Sequence, residues 1–77
     1  MDLEQIILQC YAALHRQALA ILRHPSDAED AVQTACLKAW EHYQELHDEK
    51  RCGSWLSTIV YHECMTILRR QRRQHHL

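Results

Sequence analysis

Apolar residues recur along the start of the chain at Leu3, Ile6, Ile7, Cys10, Tyr11, Leu14, Ala18, Ile21 and Leu22. Steps of three and four set them on one stripe and predict an amphipathic helix over residues 2–23. His24-Pro25 ends it, because proline disfavours helical geometry in the residue before it. A second stripe (Ala28, Val32, Ala35, Cys36, Ala39, Tyr43), with Leu37 and Trp40 on an adjoining flank, predicts a helix over residues 27–45. Ser26 and Glu29 have the S-x-x-E spacing of a capping box, and Asp27, Glu29 and Asp30 set negative charge against the positive end of the helix dipole. Residues 44–51 have no helical period and predict a polar connection. A third stripe, Leu56, Ile59, Val60, Cys64, Ile67 and Leu68 with Trp55 beside it, predicts a helix over residues 50–73. Its start falls between Asp48, a candidate N-cap, and Ser54, and Arg69 to Arg73 form its exposed end. His75, His76 and Leu77 are expected to fray.

Helices with one apolar face each must share a core, and the short turn at Pro25 makes the first two an antiparallel hairpin. The expected fold is therefore all-α, a compact three-helix bundle forming a single domain over residues 1–77. One Gly and one Pro supply too few turns for a sandwich or barrel, and 47% hydrophobic residues set the chain apart from disordered sequences. No apolar run is long enough for a membrane span or a secretory signal. A chain this short buries only about 60% of its unfolded surface, so it is expected to be marginal without a partner.

The four cysteines contain no C-x-x-C pair, and Cys10, Cys36 and Cys64 fall in helical segments, where a thiol behaves as a small hydrophobe. The expectation is reduced thiols in a cytoplasmic protein with no metal or other cofactor; a metal site from Cys52, His62 and Cys64 is the rival. There is no nucleophile elbow, glycine-rich phosphate loop or zincin spacing, so no enzyme is expected.

Charge divides the chain. Residues 1–49 carry three basic side chains against nine acidic ones, and residues 50–77 carry six against one, within a net charge of −1. An acidic front and a basic back suggest two partner surfaces. Asp30 and Gln33, at i and i+3, point the same way and suit a basic protein partner, or else are solvated surface. Arg69, Arg70, Arg72 and Arg73 can neutralise phosphates, or else solubilise a helix end.

Residues 27–40 (DAEDAVQTACLKAW) and 54–73 (SWLSTIVYHECMTILRRQRR) carry a series of distinctive steps. These are the D-A-E-D helix start, the D-x-x-Q step from Asp30 to Gln33, L-K-A-W, the S-W-L opening the third helix, I-V-x-x-E-C and the closing arginines. Fourteen residues separate Trp40 from Trp55. In this order, over nearly the whole chain, they resemble region 2 of the extracytoplasmic-function sigma factors, small bacterial sigma subunits of RNA polymerase.

The resemblance implies a domain whose second helix docks on the clamp helices of the polymerase β′ subunit. Its third helix, with the loop before it, would read the promoter minus-ten element and hold the non-template strand as it separates. The implied docking positions are Asp30 and Gln33, with Leu37 nearby; the implied DNA-facing positions are Lys50, Arg51, His62, Arg69, Arg70, Arg72 and Arg73. The expected partners are core polymerase and promoter DNA, with an anti-sigma factor as a further candidate and no membrane. Family members also carry a second, helix-turn-helix domain, expected to lie outside this chain.

The chain departs from the family at Cys52, where an aromatic residue is common, at Thr58, where arginine is common, and at His62, where asparagine is common. Gly53 also stands where a basic residue is common. These departures bear on promoter preference and leave open a rival, a protein-interaction module with weakened promoter readout. A helix-turn-helix repressor is a more distant rival, needing a dimer surface. Trp40 and Trp55 lie beside apolar stripes and are expected in the core, whereas Tyr61, off the main stripe, is the better candidate for an exposed ring near DNA.

Overall fold

The computed structural model describes residues 2–75 of the chain. Helix α1 spans Leu3–Leu22. The Asp2 carboxylate caps it, accepting from the Gln5 N–H at 3.3 Å. Arg23 closes it in the left-handed region, with φ 57°, its N–H donating to the Leu19 carbonyl at 2.8 Å.

Helix α2 spans Pro25–His42, so it starts two residues before the expected position. His24 is extended, as a residue before proline should be, and Pro25 takes the first helical position, where its missing N–H leaves nothing unsatisfied. The Ala28 N–H already donates to the His24 carbonyl at 2.9 Å. Ser26 is therefore inside the first turn and the expected capping box does not form. Glu29 instead accepts from the Gln33 side chain at 3.1 Å.

The far end of α2 also differs from expectation. Tyr43–Glu45 tighten into a 3-10 turn, and Leu46 turns extended with its side chain against the core. The polar connection is thus shorter than residues 44–51. Asp48 caps a second 3-10 turn, Glu49–Arg51, by accepting from the Lys50 N–H at 3.0 Å. That turn leads directly into α3, Cys52–His75. His76 and Leu77 lie outside the described residues, and so does the expectation made for them.

The helices pack pairwise around one core, and no strand occurs among the described residues. The bundle is all-α, as expected. Helices α1 and α3 bring larger side chains: Leu3, Ile7, Leu14 and Leu22 from α1, Leu56 and Val60 from α3. Helix α2 contributes Ala28, Ala31, Ala35 and Ala39 with Val32, all at most 1% exposed. Cys52 and Cys64 fill the remaining core positions on α3.

Polar ties at the rim fix the register of α3. Ser57 and Gln17 bond reciprocally: the Ser57 hydroxyl donates to Gln17 Oε1 at 2.8 Å, and Gln17 Nε2 donates to the Ser57 carbonyl at 3.0 Å. Lys38 pairs with Glu63, and Gln71 Nε2 donates to Asp27 Oδ2 at 2.9 Å.

Two substitutions test this packing by urea denaturation. Leu56→Ala, at a fully buried position, is expected to cost about 2–5 kcal/mol. Arg23→Gly, which relieves the left-handed side chain, is expected to stabilise by about 0.5–1 kcal/mol. A Leu56→Ala variant as stable as the parent would contradict the core assignment.

Candidate functional site

The stripe that α2 buries leaves its opposite side to solvent. Asp30, Gln33 and Leu37 lie there, all exposed. Asp30 takes part in no ion pair among the described residues. Leu37 is 64% exposed, and with Leu8 of α1, 65% exposed, it edges a groove between the two helices. The groove holds about 420 Å³ and is lined by Ile7, Leu8, Tyr11, Gln33, Cys36, Leu37 and Trp40.

Trp40 was expected in the core and is instead 48% exposed. It stands edge-on to Tyr43, ring centroids 6.2 Å apart, one turn past Cys36 on the α1-facing flank. The alanine stripe is narrow enough that this flank stays at the surface. Trp55, the other tryptophan, is half-buried against the core. Leu8 was not singled out from the sequence. The signal for it was an apolar side chain lying off the stripe of α1.

The basic residues lie on the other side. Because the groove is lined by α1 and α2 alone while α3 packs on both, α3 covers the opposite side of the hairpin, and its outer edge faces away. Lys50, Arg51, His62, Arg69, Arg70, Arg72 and Arg73 are all exposed. They do not form one patch. Lys50 and Arg51 precede α3, about 30 Å along the helix from the terminal arginines at 1.5 Å per residue. Arg51 is within 3.7 Å of Asp48. His62 stands midway and is not on that outer edge: it lines a recess between α2 and α3 with Lys38, His42, Trp55 and Glu63, its ring 5.9 Å from that of Tyr61.

Arg69, Arg70 and Arg73 come together with Thr66 around a shallow recess of about 140 Å³. Among the described residues no ion pair engages any of the four arginines. Asp27 of α2 accepts from the neutral amide of Gln71, between Arg70 and Arg72 in the chain. Thr58, at a position where the resemblance makes arginine common, donates its hydroxyl to the Ser54 carbonyl of its own helix at 3.0 Å.

Between the two faces lies Glu63, only 8% exposed, held by Lys38 of α2. Burial pushes the thiols of Cys36, Cys52 and Cys64 above their ordinary value of 9.0, with Cys10 and Glu49 adding to the effect at Cys52 and Glu63 at Cys64. These groups are protonated packing thiols. Cys52 fills a core position under the first turn of α3, where the resemblance makes a ring common. No group of side chains that could hold a metal occurs among the described residues, and none of their helices is long and apolar enough to cross a membrane.

A small helical bundle with an apolar, acid-edged hairpin on one side and an unpaired basic helix edge on the other has the surfaces of a macromolecular adaptor. The family model described as Sigma-70 region 2 matches residues 6–74, and the chain belongs to that family. The ECF RNA polymerase sigma factor SigM of Mycobacterium tuberculosis is 33% identical over 69 residues, which are 90% of this chain and 35% of SigM. SigG of the same species, also named an ECF RNA polymerase sigma factor, is 38% identical over 48 residues, 62% of this chain and 13% of SigG. The chain thus spans about a third of SigM and less of SigG. No solved structure matches it.

The tie between the faces is testable by itself. Lys38→Met strands a buried carboxylate and is expected to cost about 1–3 kcal/mol in chemical denaturation. A Lys38→Met/Glu63→Leu pair should recover much of that loss. A double variant no more stable than Lys38→Met would contradict this role for the pair.

Proposed function

We propose that this chain acts in bacterial transcription initiation as the part of a sigma factor that joins core polymerase to the promoter. The observation that carries the reading is the placement of two unlike surfaces on opposite sides of one bundle. The outer face of α2 docks on the β′ clamp helices: Leu37 supplies apolar contact, Gln33 hydrogen bonding, and Asp30 a charge that guides approach and register. The outer edge of α3 meets the minus-ten element, with Arg69, Arg70, Arg72 and Arg73 on phosphates and Lys50 and Arg51 guiding the strand at the other end. His62, midway, can donate to or accept from a base edge. The role is non-enzymatic and belongs to the cytoplasm, where the chromosome is transcribed. The relatives' names, RNA polymerase sigma factors, support it.

Phosphate contacts give affinity without sequence preference, so promoter choice rests on the few groups that reach bases. Thr58, tied back into its helix, is not available as an arginine would be. That observation favours the second reading, a module that binds polymerase or an anti-sigma factor with weakened promoter readout.

Two binding measurements with the same variants decide between them. Leu37→Ala or Gln33→Ala is expected to weaken capture of a β′ clamp-helix fragment about tenfold and leave DNA affinity unchanged. Arg69→Ala/Arg72→Ala is expected to weaken anisotropy-detected binding of a single-stranded minus-ten oligonucleotide. It should also flatten the log affinity–log salt slope by about 0.7 per lost phosphate contact. DNA affinity indifferent to salt would overturn the promoter role; clamp binding without any DNA binding would establish the second reading.

A further inference from the structure

All four cysteines are free thiols, and Cys10 and Cys52 come together where α1 packs on α3. Helix α2 runs antiparallel to α1 in the hairpin, and the pairs Lys38–Glu63 and Asp27–Gln71 run α3 antiparallel to α2. Helices α1 and α3 therefore point the same way. Gln17 and Ser57 bond reciprocally between them. Cys10 lies two turns before Gln17 and about 20° from it around α1, which sets it on the flank that meets α3. Cys52 is the first residue of α3. Counted back from the Gln17–Ser57 bond, about 10 Å along α1 and about 8 Å along α3, the two cysteines reach nearly one level of the bundle. Both face inward: Cys52 is 1% exposed, and Cys10 packs partly buried against the core. The electrostatics agree, because after burial it is Cys10, ahead of the chain neighbour Glu49, that holds the Cys52 thiol protonated.

We propose that Cys10 and Cys52 are a modification site, a reversible disulfide that a peroxide closes within the folded bundle. Cys10 is the partly exposed thiol of the pair, so the peroxide reaches it first. Its sulfur takes one peroxide oxygen and becomes a sulfenic acid, and the other oxygen leaves as water. The Cys52 sulfur then attacks that sulfur, the S–S bond forms, and a second water leaves with the Cys52 proton. Two thiols are thereby oxidised, and one peroxide is reduced to two waters. Cys52, sealed under the first turn of α3, resolves the sulfenic acid without itself meeting the oxidant. The bridge encloses all of α2 and both 3-10 turns, and it ties the entry of α3, with Lys50 and Arg51 just before it, to α1. Taking that loop's freedom from the unfolded chain stabilises the bundle. Exchange with a small thiol reopens the bridge.

The test treats the reduced whole chain with hydrogen peroxide, alkylates the remaining thiols and maps its peptides by mass spectrometry without reductant. The expected product is a monomer lighter by two hydrogens, with the Cys10 and Cys52 peptides linked, and dithiothreitol should restore both thiols. By circular dichroism the linked monomer should melt about 5 °C or more above the reduced chain. Cys10→Ser, at a partly exposed position, should fold, form no link and show no such rise after peroxide. Cys36→Ala should link like the parent. Several results would each overturn the pairing: a link to Cys36 or Cys64 instead, a covalent dimer, or both thiols still free after peroxide. So would Cys10 driven on to sulfinic acid while Cys52 stays free, or a linked monomer that melts no higher than the reduced chain.

Discussion

The alanine stripe of α2 is the constraint from which the rest of the structure follows. Packing α2 closely on both other helices takes little side-chain volume, and Ala28, Ala31, Ala35 and Ala39 supply that narrow front. The bulk that fills the core comes from α1 and α3, whose leucines and valine reach across. A stripe that narrow leaves most of α2 at the surface. Leu37 and Trp40 are exposed for that reason, and so a helix central to the fold can also present a docking face.

The rim contacts then determine what α3 presents. Gln17 with Ser57, Lys38 with Glu63 and Asp27 with Gln71 hold it at successive levels against the hairpin. Each uses a side chain from the inner half of α3. The bond to Asp27 comes from a neutral amide, and no ion pair among the described residues joins Asp27 or Asp30 to an arginine of α3.

Much of this was legible in the residues. The apolar periods gave the helices, and the ordered steps from D-A-E-D to the arginine cluster pointed to the family that the chain proves to belong to. What failed was local competition. Ser26 and Glu29 have capping-box spacing, but Pro25 is pre-set for the first helical position and starts the helix before Ser26 can cap it. Trp40 reads as core by its neighbours and lies outside because alanines, not large residues, set the width of the buried stripe. The expected helix over residues 50–73 already set Lys50 and the terminal arginines at its two ends; what the periodicity left open was its start, which the 3-10 turn Glu49–Arg51 places at Cys52.

The central claim is that opposite sides of one bundle engage different macromolecules, and amide chemical-shift mapping tests it most directly. With the ¹⁵N-labelled chain, adding a β′ clamp-helix fragment should move the resonances of Leu8, Gln33 and Leu37. Adding single-stranded promoter DNA should move those of Tyr61, Arg69 and Arg72, and each titration should proceed unchanged in the presence of the other ligand. A shared set of shifted residues, or competition between the ligands, would contradict the account.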